Sequence, residues 1–256
     1  MLRPLDPDPH PTLWSYYRHL CHHSVDVGYL WVVQIFAGLR VVEQAELLDD
    51  MLASDERLCT TELVDGALKE VEIERPRPFL AQIGLIEELK RRGVDVWVMS
   101  ASHEDLVRTL LMHPHAGFEI DPDRVCGVNL VLHGEDPTLD CGAFCRARGV
   151  AGWRRPEWQQ RTLSATPVAP LTWYEGKVSG IRTWVNADRA PFLVAGDSSN
   201  DLPMQRGVDP RGVRVRVHLT GDGDEDFAQA RGWQGAPWIE VQAEGLSPRP
   251  VPPASG

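Results

Sequence analysis

The sequence lacks any apolar run of the roughly 18 to 20 residues that a membrane-spanning helix requires. Its best stretch, Leu30 to Leu39, reads LWVVQIFAGL and is interrupted by Gln34. The start, MLRPLDPDPHPTLW, shows no apolar core of a signal peptide. Positive charge is in short supply: 26 Lys plus Arg face 37 Asp plus Glu, a formal charge of −11. That balance argues against a general binder of nucleic acid or of anionic membrane, which needs a basic surface to exchange for counterions. Cysteine is scarce and odd in number, five residues at 21, 59, 126, 141 and 145, the pattern of free thiols rather than a disulfide framework. Cys141 and Cys145 with His113 and His115 lack the paired CxxC spacing of a zinc site, and His19, His22 and His23 lack a ligand pattern. There is no Gly-x-Ser-x-Gly elbow, no Walker GxxxxGK[ST] and no HExxH, so serine hydrolases, P-loop NTPases and zincins have no support. Read literally, the chain is cytoplasmic; a true start further upstream would open a periplasmic or secreted destination.

What is present is the composition of an ordinary soluble globular protein, with 43% hydrophobic and 25% charged residues, which excludes wholesale disorder. Residues 1–12 carry Pro4, Pro7, Pro9 and Pro11 and read as an extended tail. Between 13 and 75 a helical cap is expected, because Trp14, Tyr17, Leu20, Leu30, Val33, Phe36, Val41, Ala45 and Leu48 recur at helical spacings with Gly28 and Gly38 as breaks. Residues 54–75 are mixed and charged, and Pro76 and Pro78 then mark a boundary. From 76 to 242 the pattern is that of an α/β core: a helix from Phe79 to Arg92 stopped by Gly93, a short strand from Val94 to Met99, the small residues Ser100-Ala101-Ser102, and a helix from about Glu104 to Met112. Further strands are expected at Cys126–Leu132, Pro191–Ala195, Val213–His218 and Trp238–Val241, and a helix at Gly176–Val185. Residues 133–170 form an insertion of weak periodicity, and 243–256 a flexible tail.

Chemistry in such folds collects at the carboxyl ends of the strands. Ser100 stands at one such end, where a hydroxyl and the following amides hold an anion at a helix start or simply cap the helix. Lys177 lies near the start of a helix, where a cation opposes the helix dipole and calls for a compensating anion. Gly196-Asp197-Ser198-Ser199-Asn200-Asp201 follows a buried apolar strand. Its paired carboxylates are the hard oxygen donors that Mg²⁺ takes together with water and substrate phosphate.

A Ser at one strand end, a Lys on a later helix and a GDxxND loop at the next strand end resemble motifs II, III and IV of the haloacid dehalogenase superfamily of phosphohydrolases. More closely, LWSYYRHLC, GYLWVVQIFAGL, WVMSASHEDLVR, WYEGKVSGI and PFLVAGDSSNDLPM resemble its phosphorylcholine phosphatase branch, over about residues 13 to 241. The resemblance implies a Rossmannoid core with a parallel sheet, and a Mg²⁺-dependent phosphatase acting on a small phosphorylated substrate. An aspartate attacks phosphorus and a second, two residues on, serves as general acid and base. By the same resemblance Ser100 and Ala101 would bind phosphoryl oxygen and Lys177 would neutralise the transferring group. Asp197 would ligate the metal, with Asp201 completing or orienting the shell and Asn200 and Gly196 supporting the loop.

The family's first motif, an apolar strand ending in Asp-x-Asp, has no good match. Asp6 and Asp8 have the spacing, but prolines flank both and only MLRPL precedes them. The expectation is therefore that the first core strand and its nucleophile lie upstream of the recorded start; the alternative is a noncatalytic relative that binds a phosphorylated ligand or a protein partner. Trp14, Tyr16, Tyr17, Tyr29 and Trp31 gather in the cap, with Trp31 and Tyr17 as candidates to enclose a quaternary ammonium. In the branch acidic residues follow the Leu-Cys of this segment, whereas His22 and His23 stand here, so phosphorylcholine is one candidate among small phosphomonoesters.

Overall fold

A computed structural model describes residues 12–54, 58–64, 66–73, 78–114, 116–134, 139–218 and 224–242. The candidate acids Asp6 and Asp8, His115 and both expected tails lie outside them. Three helices come first, α1 (Leu13–His23), α2 (Val25–Gln34) and α3 (Val41–Ala53). Thr12 caps α1 by accepting the Ser15 amide, and His22 and His23 sit in the last turn, where cations suit the helix dipole. A Cβ on Gly28 would fall 2.4 Å from the Cys21 sulfur, so this glycine lets α1 and α2 close on each other.

The cap is not wholly helical. Residues expected to be mixed form an antiparallel hairpin, β1 (Leu58–Val64) with β2 (Ala67–Ile73). Thr60, Thr61, Val64, Val71 and Ile73 favour extended backbone, and Gly66 turns the chain at φ 77°. Packing on α1 overrides the helical reading: Glu62 receives the Arg18 guanidinium at 3.1 Å and the Trp14 indole at 3.3 Å.

Beyond the prolines the helix α4 (Leu80–Arg91) leads to β3 (Val98–His103), α5 (Glu104–Met112) and β4 (Val125–Val128). β3 and β4 are parallel. Every β4 residue is buried, as suits a strand covered on both faces. The expected strand from Cys126 to Leu132 breaks at Asn129, and β5 (Leu130–Leu132) pairs instead with β6 (Leu163–Pro167) in an antiparallel ladder. Within the insertion, α6 (Cys141–Trp153), kinked at Gly149, and α7 (Pro156–Gln159) bury Cys141, Cys145, Trp153 and Trp158 against Val33, Val41 and Leu163. Next come α8 (Glu175–Gly180), continued as one π-turn to Val185, then β7 (Leu193–Gly196), α9 (Leu202–Arg206), β8 (Val213–His218), α10 (Asp224–Ala230) and β9 (Trp238–Gln242). β7, β8 and β9 make a second parallel piece.

The fold is thus mixed α/β with two parallel pieces. Among the described residues β3 bonds only to β4 and β7 only to β8, so the two pieces do not share a ladder. They meet through side chains: Met99 of β3 packs against the cluster of Val194, Met204, Val208 and Ala236, together with Ile181 at the end of α8.

Candidate active site

β3 runs further than its sequence implies. The ladder passes from Met99 to His103 while β4 moves only from Cys126 to Val128, so Ser100, Ala101 and Ser102 bulge out of the register. The Ser100 hydroxyl accepts the Ser102 amide at 3.1 Å. A buried charge cluster holds the base of this bulge. Glu104 accepts the Gly127 amide at 2.9 Å, the Asn129 side-chain amide at 3.0 Å and the Arg108 guanidinium, which also engages Asp105. A Cβ on Gly127 would lie 2.8 Å from both the Ser102 carbonyl oxygen and the Glu104 Cα, so only glycine admits this approach. Burial pushes the Asp105 carboxyl up to about 6, against the pull of Arg108. Burial, with help from Arg108, pushes His103 down to about 3, and its neutral Nδ1 accepts the Asp105 amide.

At the carboxyl end of β7, Gly196 closes the strand and exposed Asp197 opens a turn in which Asn200 and Asp201 are buried. Asp201 folds back over it: its Oδ2 accepts the amides of Asp197 at 3.0 Å and Ser198 at 3.4 Å, while its Oδ1 meets Lys177 Nζ at 2.5 Å. Lys177 is buried, and Asp201 is the anion its position at the helix start required. A Cβ on Gly196 would strike the Asp201 side chain at 2.4 Å.

The segment between β6 and α8 bridges β3 and the turn after β7. Thr172, fully buried, donates its hydroxyl to the Ser100 carbonyl at 2.6 Å. The Trp173 indole donates to Asp26 on α2 at 2.6 Å, and the Tyr174 amide donates to Asn200 Oδ1 at 2.5 Å. Asn200 therefore supports the loop by holding its neighbour.

Lys177 bonds Asp201, Gly196 leaves room for the Asp201 side chain, and the segment 172–174 reaches both Asn200, through the Tyr174 amide, and Ser100, through Thr172. Ala101 packs on the core shared by the cap, with Tyr29 and Phe36. Trp31 and Tyr17 instead meet rings of α1, at 5.1 Å from Tyr16 and 5.8 Å from Trp14, and burial raises the Tyr17 phenol above its ordinary value. Tyr29 is the α2 ring that reaches the bridging segment, edge-on to Trp173 at 5.8 Å. Thr172 and Asp26 carried no signal in the sequence, and the bond of Trp173, first residue of the WYEGKVSGI segment, was not legible there, because their partners lie far along the chain.

As metal donors, Asp197 and Asp201 differ. Mg²⁺ takes one or two carboxylates and fills its shell with water and substrate oxygen. Asp197 is an exposed carboxylate, and both oxygens of Asp201 serve Lys177 and two amides. No group of three or more His, Cys, Asp or Glu side chains among the described residues is disposed to hold a metal. Cys141 and Cys145 lie in the apolar core, and His113 pairs with Asp49 at 3.3 Å. Among the same residues no helix is long and apolar enough to cross a membrane.

No family model matches the chain. It is similar to a phosphorylcholine phosphatase of Pseudomonas aeruginosa, 32% identical over 212 residues that cover 81% of this chain and 60% of that protein. The chain therefore spans about three fifths of the length of this curated relative. Among solved structures, a conserved protein of unknown function from Anaerococcus prevotii DSM 20548 superposes with a TM-score of 0.57 over 80% of this chain and 50% of that one, at 16% identity, which shows a shared fold.

Proposed function

We infer that the chain belongs to the haloacid dehalogenase superfamily and forms the phosphate-handling part of a phosphomonoester hydrolase for a small phosphorylated metabolite, phosphorylcholine among the candidates. The observation that carries this reading is that one short segment, 172–174, joins the Ser100 bulge of β3 to the turn after β7, where Asp201 holds Lys177, on a chain similar to a phosphorylcholine phosphatase. Ser100 and the amides of its bulge donate to phosphoryl oxygen. Lys177, oriented by Asp201, offsets the negative charge of the transferring group. Asp197 would hold Mg²⁺, which supplies further charge neutralisation when bound. Asn200 and Gly196 keep the turn closed.

The reading calls for an attacking carboxylate beside Ser100 and Asp197. The test is hydrolysis of p-nitrophenyl phosphate and of phosphorylcholine with Mg²⁺, by the 256-residue chain and by a product extended through any in-frame upstream Asp-x-Asp segment, each with Asp197→Asn. The expected result is turnover by the extended product alone, abolished by the substitution. Turnover by the 256-residue chain that Asp197→Asn abolishes would relocate the nucleophile to these residues, with Asp6 and Asp8 the next targets. A folded, extended product that binds phosphate without turnover would replace this reading with that of a noncatalytic phosphate binder.

A further inference from the structure

Three consecutive side or main chains reach three different elements. Thr172 bonds the Ser100 carbonyl in the bulge of β3, Trp173 bonds Asp26 in the first turn of α2, and Tyr174 bonds Asn200 in the turn after β7. The two strands they connect, β3 and β7, have no ladder between them among the described residues. The segment is held under constraint. Tyr174 sits at φ 45° and ψ −122°, a conformation that glycine takes readily and tyrosine does not. A Cβ at Gly176 would fall 1.6 Å from the Leu171 carbonyl oxygen, so the chain turns back on itself immediately after the segment. Thr172 and Trp173 are both buried, which strengthens bonds whose partners have no water to turn to.

We propose that Thr172, Trp173 and Tyr174 are positioning residues, a strap that sets the spacing between Ser100 and the Asp197–Asp201 turn and couples that spacing to helix α2 through Asp26. The functional side of this rests on the phosphatase reading. The mechanical side does not: a change at Asp26 must reach the turn after β7, although Asp26 touches none of its residues in the hydrogen bonds described above. The route is Asp26 to the Trp173 indole, along one peptide to the Tyr174 amide, to Asn200, and on to the turn whose amides Asp201 holds. A load on α2, as when a ligand settles against the cap, would be felt at Ser100 through Thr172 and at Asp197 through Asn200.

Amide hydrogen exchange on the full chain separates the two sides. Asp26→Ala should speed exchange at Tyr174, Asp197 and Ser198 by about fivefold, the worth of one net hydrogen bond, while β4 and β8 exchange as before. Asp26→Asn, which keeps an acceptor for the indole, should restore the wild-type rates. Acceleration confined to α2 would overturn the coupling. Inorganic phosphate is the ligand probe: Thr172→Val should weaken its binding about fivefold on the same basis, and Thr172→Ser should recover it. Equal affinities in wild type and Thr172→Val would overturn the positioning role. A wild-type chain that binds no phosphate would count against the phosphatase reading, leaving the exchange rates at Tyr174 and Asp197 to decide the strap by themselves.

Discussion

Lys177 Nζ and Asp201 Oδ1 lie 2.5 Å apart with both side chains almost closed to water. A pair of this kind is worth little against an apolar replacement, yet breaking it is costly, because the surviving charge stays buried. Asp201→Ala should therefore destabilise the chain by about 3–5 kcal/mol. Lys177→Met should cost less, since Asp201 keeps the amides of Asp197 and Ser198. The double variant should recover part of the loss seen in Asp201→Ala. Urea midpoints of the three proteins check this, and equal losses in the two single variants would remove the asymmetry on which it rests.

The pH dependence of stability should separate His103 from Asp105. His103 is depressed to about 3 in the folded chain, so its contribution is present above the ordinary imidazole range and is lost as pH falls toward 3. Asp105 is raised to about 6, so its contribution is full below the ordinary carboxylate range and is lost as pH rises through 6. Between roughly pH 6 and 4 the two slopes oppose each other, each at most about 1.4 kcal/mol per pH unit. His103→Asn keeps a capping acceptor for the Asp105 amide and removes one slope. Relative to wild type, its stability should rise on acidification from pH 6.5 to 4. Parallel curves in chemical denaturation would refute the assignment.

Gly196 and Gly207 offer a matched pair. A methyl at Gly196 would strike the Asp201 side chain at 2.4 Å, whereas at Gly207 the nearest atom is 3.4 Å away. Gly196→Ala should cost about 1–3 kcal/mol, the usual toll of overpacking, and should loosen the turn that carries Asp197. Gly207→Ala should change the melting temperature little.

The thiols should react in a fixed order with an aromatic disulfide reagent. Cys59 is exposed and should titrate first, with half-buried Cys21 slower because burial raises its thiol. Cys126, pushed up to about 12 by burial, and Cys141 and Cys145, also raised, should stay silent until the chain unfolds. Fast labelling of Cys141 or Cys145 in the native protein would mean that the α6 core opens.

Local patterns carried much of this fold. The helix at 104–112 and the strand at 213–218 stand where apolar spacing puts them, and Asp197 follows a strand end as its small polar neighbours imply, whereas Ser100, expected at a strand end, falls inside β3 at a bulge. The hairpin at 58–73 was hidden because its charged, alternating residues take their conformation from α1. The bulge at Ser100–Ser102 was hidden because it depends on Gly127 of the neighbouring strand, which approaches Ser102 and donates its amide to Glu104. The Thr172 and Trp173 bonds span 72 and 147 residues of sequence, beyond any local periodicity.

The division of the parallel strands into two pieces bears on how the chain opens. Each piece has its own apolar cluster, Ile83, Leu111, Phe118 and Val125 beside β3 and β4, and Val194, Met204 and Val208 beside β7 and β8. Such pieces behave as separate cooperative units, which can detach with less free energy than global unfolding takes. Ser100 rides on one unit and Asp197 on the other. An opening that parted the two pieces would separate Ser100 from Asp197 while most of the secondary structure on either side still stood.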